Sequence, residues 1–379
     1  MLVVFWMINR MIICRLEDNM YFCSMIKLVD SMKKKVLFLL PLFLGACSDS
    51  GESPVITIEK LYVKVDQGDG ETIREDYANR MSEMPALKVG DKVDAFLVLD
   101  GNGAELKSFK DPSGKEYVWN SDPAFWMRSS PLLFPTIGNL RNGETTIKGH
   151  VYPLVKHGFC KDTEFEVKDL SDDTVTFLLH ANEETLKSYP YQFELSLTYH
   201  LSDNELSMEY RVVNHDTEEM FYHIGAHPGF MLPVSSGETL ADCELVFEKT
   251  EDFVSYEYDL ENMEFNTEKK VVQKAEGNTL PLTVAMFDSD AVFFEHTNSH
   301  RVSFLNTHTG KGVTMDYPDF ESIAFWTPAG GNAPFLCLEP WNGSAIFHQD
   351  SDIFSEKRGI LSLMPEGEKT YHLKITLEA

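Results

Sequence analysis

The sequence predicts an all-β fold of antiparallel strands, and two features of the chain from Val93 onward support that prediction. Short runs of alternating apolar and polar residues recur there, and Asp-Gly, Asn-Gly, Ser-Gly and Lys-Gly steps separate them, as in β-hairpins. Apolar residues at helical spacing are scarce. So many strands in one region favour a sandwich of two extensive sheets, and composition alone leaves a barrel open as the alternative.

The clearest hairpin is the stretch FELSLTYHLSDNELSMEYRVVN, residues 193–214. Leu195, Leu197 and Tyr199 alternate with polar residues, which is the pattern of a strand with one buried face. A turn is expected at residues 202–204, after which the alternation resumes.

Helices are expected at two places only. One lies within residues 70–88, GETIREDYANRMSEMPALK, before the β-rich region. The other is the short stretch NEETLKSYP, residues 182–190, where Asn182 is a suitable N-cap.

The charge of the chain restricts its partners. The formal net charge is −27, and an acidic surface of that size repels nucleic-acid phosphates and anionic lipid headgroups. Nucleic-acid binding is therefore not expected. Cysteines at irregular spacing, without a CxxC pair, predict neither a disulfide framework nor a cysteine-based metal site.

An export signal is predicted near the N-terminus, in the stretch MKKKVLFLLPLFLGACSDSGE that begins at Met32. Its basic start, short apolar segment and small residues before Cys47 are typical of a secretory signal. Leu44-Gly45-Ala46-Cys47 resembles the lipobox of bacterial lipoproteins, which implies lipidation of Cys47 and attachment to a membrane only through that lipid. A plain signal anchor with a chance cysteine is the alternative. Met32 is then the expected start of the protein.

The predicted organisation follows from that signal. Residues 1–47 form an upstream segment and a lipoprotein signal peptide, and residues 48–54 form a polar tether. Residues 55–379 form one β domain.

Two titratable residues directly before prolines are candidates for acid/base chemistry. Glu339 ends the apolar run FLCLEPWNG, and His227 lies in HIGAHPGF. Proline favours an extended conformation of the preceding residue, so each group is expected at the end of an extended segment. Facing each other across a substrate, a carboxylate and an imidazole can act as general base and general acid. Taken one at a time, each residue is better explained by a structural role: His227 as a core or turn residue, and Glu339 as a hydrogen-bonding partner of a loop.

A metal site is not predicted. His223 and His227 are four residues apart, but Gly225 and Pro228 disfavour the helix that would bring them together. On a strand the same spacing places them roughly 13 Å apart.

The chain resembles the aldose 1-epimerase (mutarotase) family over roughly residues 93–379, and in particular its LacX-like branch. Three motifs in order carry the resemblance: LFPTIGNLRNGETTIKGHVYPLVKHGF, HPGF and FESIAFWTPAGGNAPFLCLEPWNG. The resemblance implies a β-supersandwich of the galactose-mutarotase type. It also implies interconversion of the α and β anomers of a free aldose, a hexose such as glucose or galactose, without a cofactor.

The family's functional residues match three positions of this sequence. By this resemblance Glu339 is the general base, His227 the general acid that protonates the ring oxygen, and His157 in KHGF a hydrogen-bonding partner of the ring.

The sugar-binding positions match less well. The family usually has an arginine directly after the glycine of FPxxG, where this chain has Asn139, with Arg141 two residues later. If these residues lie on a strand, Arg141 shares a face with Asn139 and takes the place of the family's arginine; otherwise Arg141 is an ordinary solvated charge. Lys161 stands where the branch often has an arginine after HGF, and an ordinary solvated charge is the alternative there too. Asp290 is expected either at the sugar or in a turn. Trp326 and Trp341 are expected to pack in the core by default, and stacking on the sugar is the alternative for both.

Two other functions remain open from the sequence. A non-catalytic carbohydrate-binding protein would keep the fold and the cleft, and Asn139 favours that alternative. A polysaccharide-processing enzyme would need a second carboxylate or a tyrosine placed for glycosidic cleavage, and no such residue is identified.

Overall fold

Antiparallel strands make up nearly all regular structure in the computed structural model of the chain. The structure describes residues 96–379, except 172 and 332, and four short strands before them. The predicted signal with Cys47, the tether at 48–54 and the predicted helix within 70–88 lie outside the described residues.

The strands before the β-rich region are β1 (Val4–Ile8), β2 (Met11–Leu16), β3 (Asn19–Cys23) and β4 (Ile58–Glu59). The first half of the β-rich region contains β5 (Phe96–Asp100), β6 (Glu105–Lys110), β7 (Leu132–Leu133), β8 (Glu144–Ile147), β9 (His150–Pro153), β10 (Glu166–Leu170), β11 (Thr174–His180), β12 (Phe193–Ser202), β13 (Glu205–Asn214), β14 (Met220–Tyr222), β15 (Ile224–Ala226) and β16 (Gly229–Met231).

The second half contains β17 (Cys243–Phe247), β18 (Val254–Asp259), β19 (Glu264–Val272), β20 (Thr279–Pro281), β21 (Val292–Phe294), β22 (Arg301–Asn306), β23 (Gly312–Asp316), β24 (Ser322–Trp326), β25 (Phe335–Asn342), β26 (Leu361–Leu363) and β27 (Glu368–Glu378). The helices of the described chain are short 3-10 turns at Arg141–Gly143, Cys160–Asp162, Thr185–Lys187, Leu240–Asp242, Val284–Phe287 and Phe354–Glu356. None of these described helices has the length and apolar character to cross a lipid bilayer.

Two large sheets organise the β-rich region. One has nine strands in the order β10-β11-β12-β13-β27-β23-β22-β17-β20, and the other has the order β21-β24-β25-β15-β7, with β16 also paired to β25. The main hydrophobic core contains side chains of both sheets, such as Leu195 and Ile375 from the first and Ile323 and Leu338 from the second. The sandwich predicted from the sequence is therefore confirmed.

The predicted hairpin at residues 193–214 is the pair β12 and β13, with Ser202 opposite Glu205 at the turn. The apolar residues of this alternation form the buried face of the strand, as predicted: Leu195, Leu197 and Tyr199 are all buried. Burying one face of each strand fixes the register, since a shift by one residue would expose this whole set.

The helix predicted within residues 182–190 is reduced to the single 3-10 turn Thr185–Lys187. Asn182 does cap it: its side-chain oxygen accepts hydrogen bonds from the backbone N–H groups of Glu184 and Thr185, at 3.0 and 3.1 Å. Tyr189 follows two residues after the turn, and its fully buried ring belongs to the main core. The segment is too short to bury a helical face, so only the capped turn forms.

Candidate functional site

Strand β25 carries the acidic group of the site. Its side chains alternate as the sequence predicts: Leu336 and Leu338 join the main core, while Phe335 and Cys337 join a small cluster on the opposite face. Glu339 shares that second face by strand alternation. It is 1% exposed, so it lies at the base of a pocket and not in an open, wet cleft.

His227 lies directly across from Glu339 on the neighbouring chain segment. The register pairs Gly225 with Trp341 on one side and Gly229 with Cys337 on the other, and three residues lie between these pairs on each strand. Residues directly opposite in an antiparallel pair project to the same face. The side chains accordingly meet, with His227 Nε2 3.2 Å from Glu339 Oε2.

Pro228 shapes the local backbone at this pair. It has no N–H for the ladder, and pairing between the two segments divides into β15 before it and β16 after it. Its carbonyl oxygen still accepts a hydrogen bond from the backbone N–H of Leu338, at 3.0 Å. The segment therefore stays registered against β25, and the histidine stays over the carboxyl group.

His157 enters the site from the loop after β9, and Gly138 holds it through two hydrogen bonds. The backbone N–H of His157 donates to the Gly138 carbonyl oxygen at 2.9 Å, and the Gly138 N–H donates to His157 Nδ1 at 3.1 Å. Because Nδ1 accepts, the neutral ring carries its proton on Nε2. The ring meets that of His227 edge to face, with centroids 5.5 Å apart.

Gly158 is required for this placement of His157. Its φ is +74°, and a Cβ at this position would lie 2.0 Å from the carbonyl oxygen of Phe134. No other residue fits so close to that backbone. The glycine of the motif KHGF thus lets the loop approach the backbone at Phe134 closely enough to place His157 in the site.

The three groups face a cavity of about 400 Å³, within the range of small-molecule sites. Glu339, His227 and His157 all line it. The other lining residues are Trp126, Arg128, Pro131, Gly138, Val155, Lys156, Lys161, Tyr258, Phe265, Asp290, Ala291, Trp326, Trp341 and Ala345.

Burial favours the neutral form of each titratable group at the base of the cavity. It raises the pKa of Glu339 well above its ordinary value; the nearby Asp290 adds to this effect, and Lys156 opposes it. It lowers the pKa of His227 to about 3. It also lowers the pKa of His157 well below the ordinary value, with further lowering by His227, Lys156 and Lys161.

Aromatic rings form the wall next to His227. Trp126 stacks on the histidine ring with centroids 4.9 Å apart, and Trp326 meets the same ring edge to face at 5.9 Å. The Trp326 Nε1–H donates to Asp290 Oδ1 at 2.8 Å, which fixes the indole plane. Asp290 has φ +80°, so it sits in a turn and also lines the cavity. Trp341 combines both expected roles, since it lines the cavity and packs in a buried cluster.

The expectation that Arg141 takes the place of the family's arginine is wrong in its structural premise. Residues 141–143 form a 3-10 turn and not a strand, with Asn142 at φ +56°. The Arg141 guanidinium instead donates to Glu264 at 2.7 Å, to Asp352 at 2.9 Å, and to the carbonyl oxygens of Phe347, His348 and Asp350. Its donors are committed to these partners, and it is not among the residues that line the cavity.

Asn139 and Lys161 lie close to the site in different ways. Asn139 does not line the cavity itself but interacts with the hydroxyl of Tyr258, which does. Lys161 lines the cavity, and its ammonium donates to the Gly158 carbonyl oxygen at 2.9 Å and to Asp162 at 2.7 Å. It is therefore not a freely solvated charge.

Sequence reasoning missed several lining residues, among them Trp126, Arg128, Lys156 and Tyr258. Trp126 had one available signal, because the stretch WNSDPAFWM combines a turn with dense aromatic residues. Tyr258 had none: it reaches the cavity from the hairpin of β18 and β19, which is distant in sequence from the other site residues.

His227, Cys337 and Glu339 form a compact group whose donor atoms lie within 4.8 Å of one another. Imidazole, thiolate and carboxylate are ligand types that zinc accepts, so this trio is where a metal ion would bind if the site held one. Sequence reasoning considered only His223 with His227 and did not identify it. Cys337 is buried, and burial raises the pKa of its thiol well above the ordinary value, which opposes thiolate formation.

Comparison with known proteins identifies two family models along the chain. Residues 98–350 match the model described as "Aldose 1-epimerase". Residues 47–120 match one described as "Domain of unknown function (DUF5035)". The second match crosses the expected boundary between residues 54 and 55, and the division of the chain at that boundary stays a prediction.

Individual relatives agree with the first of these matches. The plasmid-encoded protein LacX of Lactococcus lactis subsp. lactis is 31% identical over 281 residues, which are 72% of this chain and 94% of LacX. A galactose mutarotase-like protein from Lactobacillus casei has a solved structure that is 31% identical with a TM-score of 0.71, covering 78% of this chain and 99% of that one.

A galactose mutarotase related enzyme from Lactobacillus acidophilus is 29% identical with a TM-score of 0.69, covering 75% of this chain and 95% of that one. Together with the antiparallel sheets described above, these structures confirm the predicted galactose mutarotase-like β-fold.

Proposed function

Because the chain belongs to the aldose 1-epimerase family, we propose that it is a mutarotase that interconverts the α and β anomers of a free aldose by opening and closing the sugar ring. The observation that carries this proposal is the buried contact between Glu339 and His227, 3.2 Å long, at the base of a sugar-sized cavity. A base and an acid so close together suit a reaction at two oxygens of one carbon.

Mutarotation needs proton transfer at the anomeric hydroxyl and at the ring oxygen. Both oxygens are bonded to the same carbon, so the base and the acid must be neighbours. In the proposed reaction Glu339 takes the proton of the anomeric hydroxyl while His227 gives a proton to the ring oxygen. The ring opens to an aldehyde, the bond between C1 and C2 rotates, and the reverse transfers close the ring on either face.

The proton shared by Glu339 and His227 is consistent with this cycle of ring opening and closing. Burial favours a neutral carboxylic acid on Glu339 beside a neutral His227, which together hold one exchangeable proton. Moving that proton across the 3.2 Å contact gives carboxylate and imidazolium, the base and the acid that ring opening uses. Ring opening returns the neutral pair, so no proton enters or leaves the site.

His157 is proposed to orient the sugar. With Nδ1 occupied by the Gly138 N–H, its Nε2–H is the available donor, and it suits a hydrogen bond to the ring oxygen or to a neighbouring hydroxyl. Trp126 and Trp326 offer apolar faces on which a pyranose can stack. Every step is a proton transfer, so no cofactor is needed, and the substrate is a small sugar, a hexose such as glucose or galactose.

One observation favours the alternative of a non-catalytic carbohydrate-binding protein. The cavity has no arginine at the family's usual position, since Asn139 stands there and Arg141 is engaged elsewhere. A protein that had lost a sugar-positioning group would keep the cleft and bind without turnover.

We also propose that the protein is exported and tethered to a bacterial membrane by lipid on Cys47. The basic start, apolar segment and Leu44-Gly45-Ala46-Cys47 stretch support this proposal. The match to the domain of unknown function begins at residue 47, which is the N-terminus expected after signal cleavage.

Polarimetry on freshly dissolved aldoses tests the catalytic proposal. The purified protein should speed the approach of glucose, galactose or a related aldose to anomeric equilibrium, equally well with and without EDTA, because proton transfer suffices. Sugar binding without any acceleration would favour the non-catalytic alternative. Activity lost to EDTA and restored by a divalent ion would instead assign the trio of His227, Cys337 and Glu339 to a metal.

A further inference from the structure

The charge around the cavity is opposite to that of the whole chain. Arg128, Lys156 and Lys161 line the cavity of a protein whose formal net charge is −27. Asp290 and Glu339 are the acidic residues among those that line it, and burial favours the neutral form of Glu339. Positive charge therefore exceeds negative charge at this place.

Two of the three cations share one carboxylate. Arg128 and Lys161 both pair with Asp162, whose side chain is half exposed. Arg128 also lies 3.8 Å from Glu105, but that carboxylate is paired with Lys107 at 2.7 Å. One exposed carboxylate between two cations leaves part of their positive charge uncompensated.

Lys156 is the third cation, and within the described part of the chain it forms no hydrogen bond or ion pair. Its side chain is exposed at the cavity. Its charge nevertheless acts on the reacting groups, since it further lowers the pKa of His157 and His227 and opposes the rise in the pKa of Glu339. An ammonium group close to the chemistry and without a partner is available to a ligand.

We propose that the cavity prefers an aldose with an acidic substituent, a carboxylate or a phosphate, over a neutral hexose. This inference rests on the proposed function, because it takes the cavity as the sugar site. Lys156 directly precedes His157, which in the proposed complex donates either to a neighbouring hydroxyl or to the ring oxygen. The exocyclic carbon of a hexopyranose is attached next to that oxygen, so a C6 carboxylate or a 6-phosphate would lie toward Lys156, with Arg128 and Lys161 adding to the attraction.

Methyl glycosides test this preference without any turnover, because their anomeric oxygen is capped and the ring cannot open. Binding of methyl β-D-glucoside, methyl β-D-glucuronide and methyl β-D-glucoside 6-phosphate is measured by calorimetry and by Trp fluorescence. At least one anionic glycoside should bind about tenfold more tightly than the neutral one at low salt. The advantage should shrink as salt is added, and comparing the two anionic ligands distinguishes a carboxylate from a phosphate.

Lys156→Gln, measured with the same ligands, should remove most of the preference for the anionic glycoside. The matched control is Lys187→Gln, which removes an exposed lysine that pairs with Glu184 outside the cavity; it should leave the preference intact. Equal or weaker binding of both anionic glycosides by the wild type would overturn the inference, as would a preference that survives Lys156→Gln. Failure of the proposed function shows itself separately, as absence of mutarotation by a protein that still binds the anionic glycosides more tightly.

Discussion

His227 Nε2 lies 3.2 Å from Glu339 Oε2 across two paired segments of the six-stranded sheet. Backbone register creates this contact, because the flanking pairs Gly225–Trp341 and Gly229–Cys337 leave the two residues directly opposite each other. The acid and the base of the proposed reaction are thus both buried, on paired segments of one sheet. Their separation is set by the sheet and not by a loop.

The first prediction concerns pH. Groups this close titrate as a pair, and the active form of the pair holds one proton in total. A second proton can be added only as pH falls toward the lowered pKa of His227, about 3. The remaining proton is lost only as pH rises through the raised pKa of Glu339. The profile of kcat/KM should therefore be bell-shaped, with its acid limb far below about pH 6.5, where a free histidine titrates.

Initial mutarotation rates across the pH range, corrected for the uncatalysed reaction, give this profile. An acid limb centred near the ordinary histidine pKa would show that His227 titrates independently of Glu339. That outcome would contradict the shared-proton account.

The second prediction separates His157 from the reacting pair. His157→Asn removes the donor proposed to orient the ring but leaves Glu339 and His227 in place, so it should slow turnover less than His227→Asn does. Removing the acid itself should cost roughly 10²- to 10⁴-fold. Steady-state kinetics of both variants on the same aldose make the comparison. If His157→Asn proves the more damaging of the two, the general acid has been assigned to the wrong histidine.

The third prediction concerns Arg141. Its guanidinium joins Glu264 to the carbonyl oxygens of residues 347, 348 and 350, so Arg141→Gln leaves several polar groups without their partner. The free energy of unfolding should fall by about 2 kcal/mol or more, with little change in KM. Chemical denaturation and sugar kinetics measure the two effects. A raised KM with unchanged stability would show instead that Arg141 helps to bind the sugar.

The fourth prediction concerns export. Intact-mass analysis of protein from the membrane fraction should show a chain that begins at Cys47 and carries lipid, and Cys47→Ser should abolish both the lipid and the membrane association. An uncleaved, soluble chain with an unmodified Cys47 would refute the lipoprotein proposal.

The sequence predicts most reliably what depends on local pattern. The alternation in β25 places Leu336 and Leu338 in the core and Glu339 on the opposite face, and the hairpin at 193–214 has its expected partners. Both outcomes follow from the two-residue period of a strand. The motif resemblance adds the pairing of His227 with Glu339, which no local pattern contains.

Prediction from the sequence fails for contacts between segments that are far apart along the chain. The prediction that Arg141 faces the sugar requires its segment to be a strand, which it is not. The residues that Arg141 contacts lie more than a hundred positions away along the chain, at 264 and 347–352. Trp126 stacks on His227 from an earlier loop, and Tyr258 arrives from a separate hairpin. Packing decides such contacts, and no spacing along the chain indicates them.

Whether Glu339 is the base is tested directly by Glu339→Gln. The amide keeps the shape of the side chain and replaces a group that burial already favours in its neutral form, so the thermal melt should stay close to that of the wild type. The exposed Glu356→Gln is the matched control outside the cavity. The measurement is the rate of approach to anomeric equilibrium. Folded Glu339→Gln should be slower by roughly 10²- to 10⁴-fold, while Glu356→Gln should be unaffected. Near wild-type mutarotation by folded Glu339→Gln would show that Glu339 is not the base.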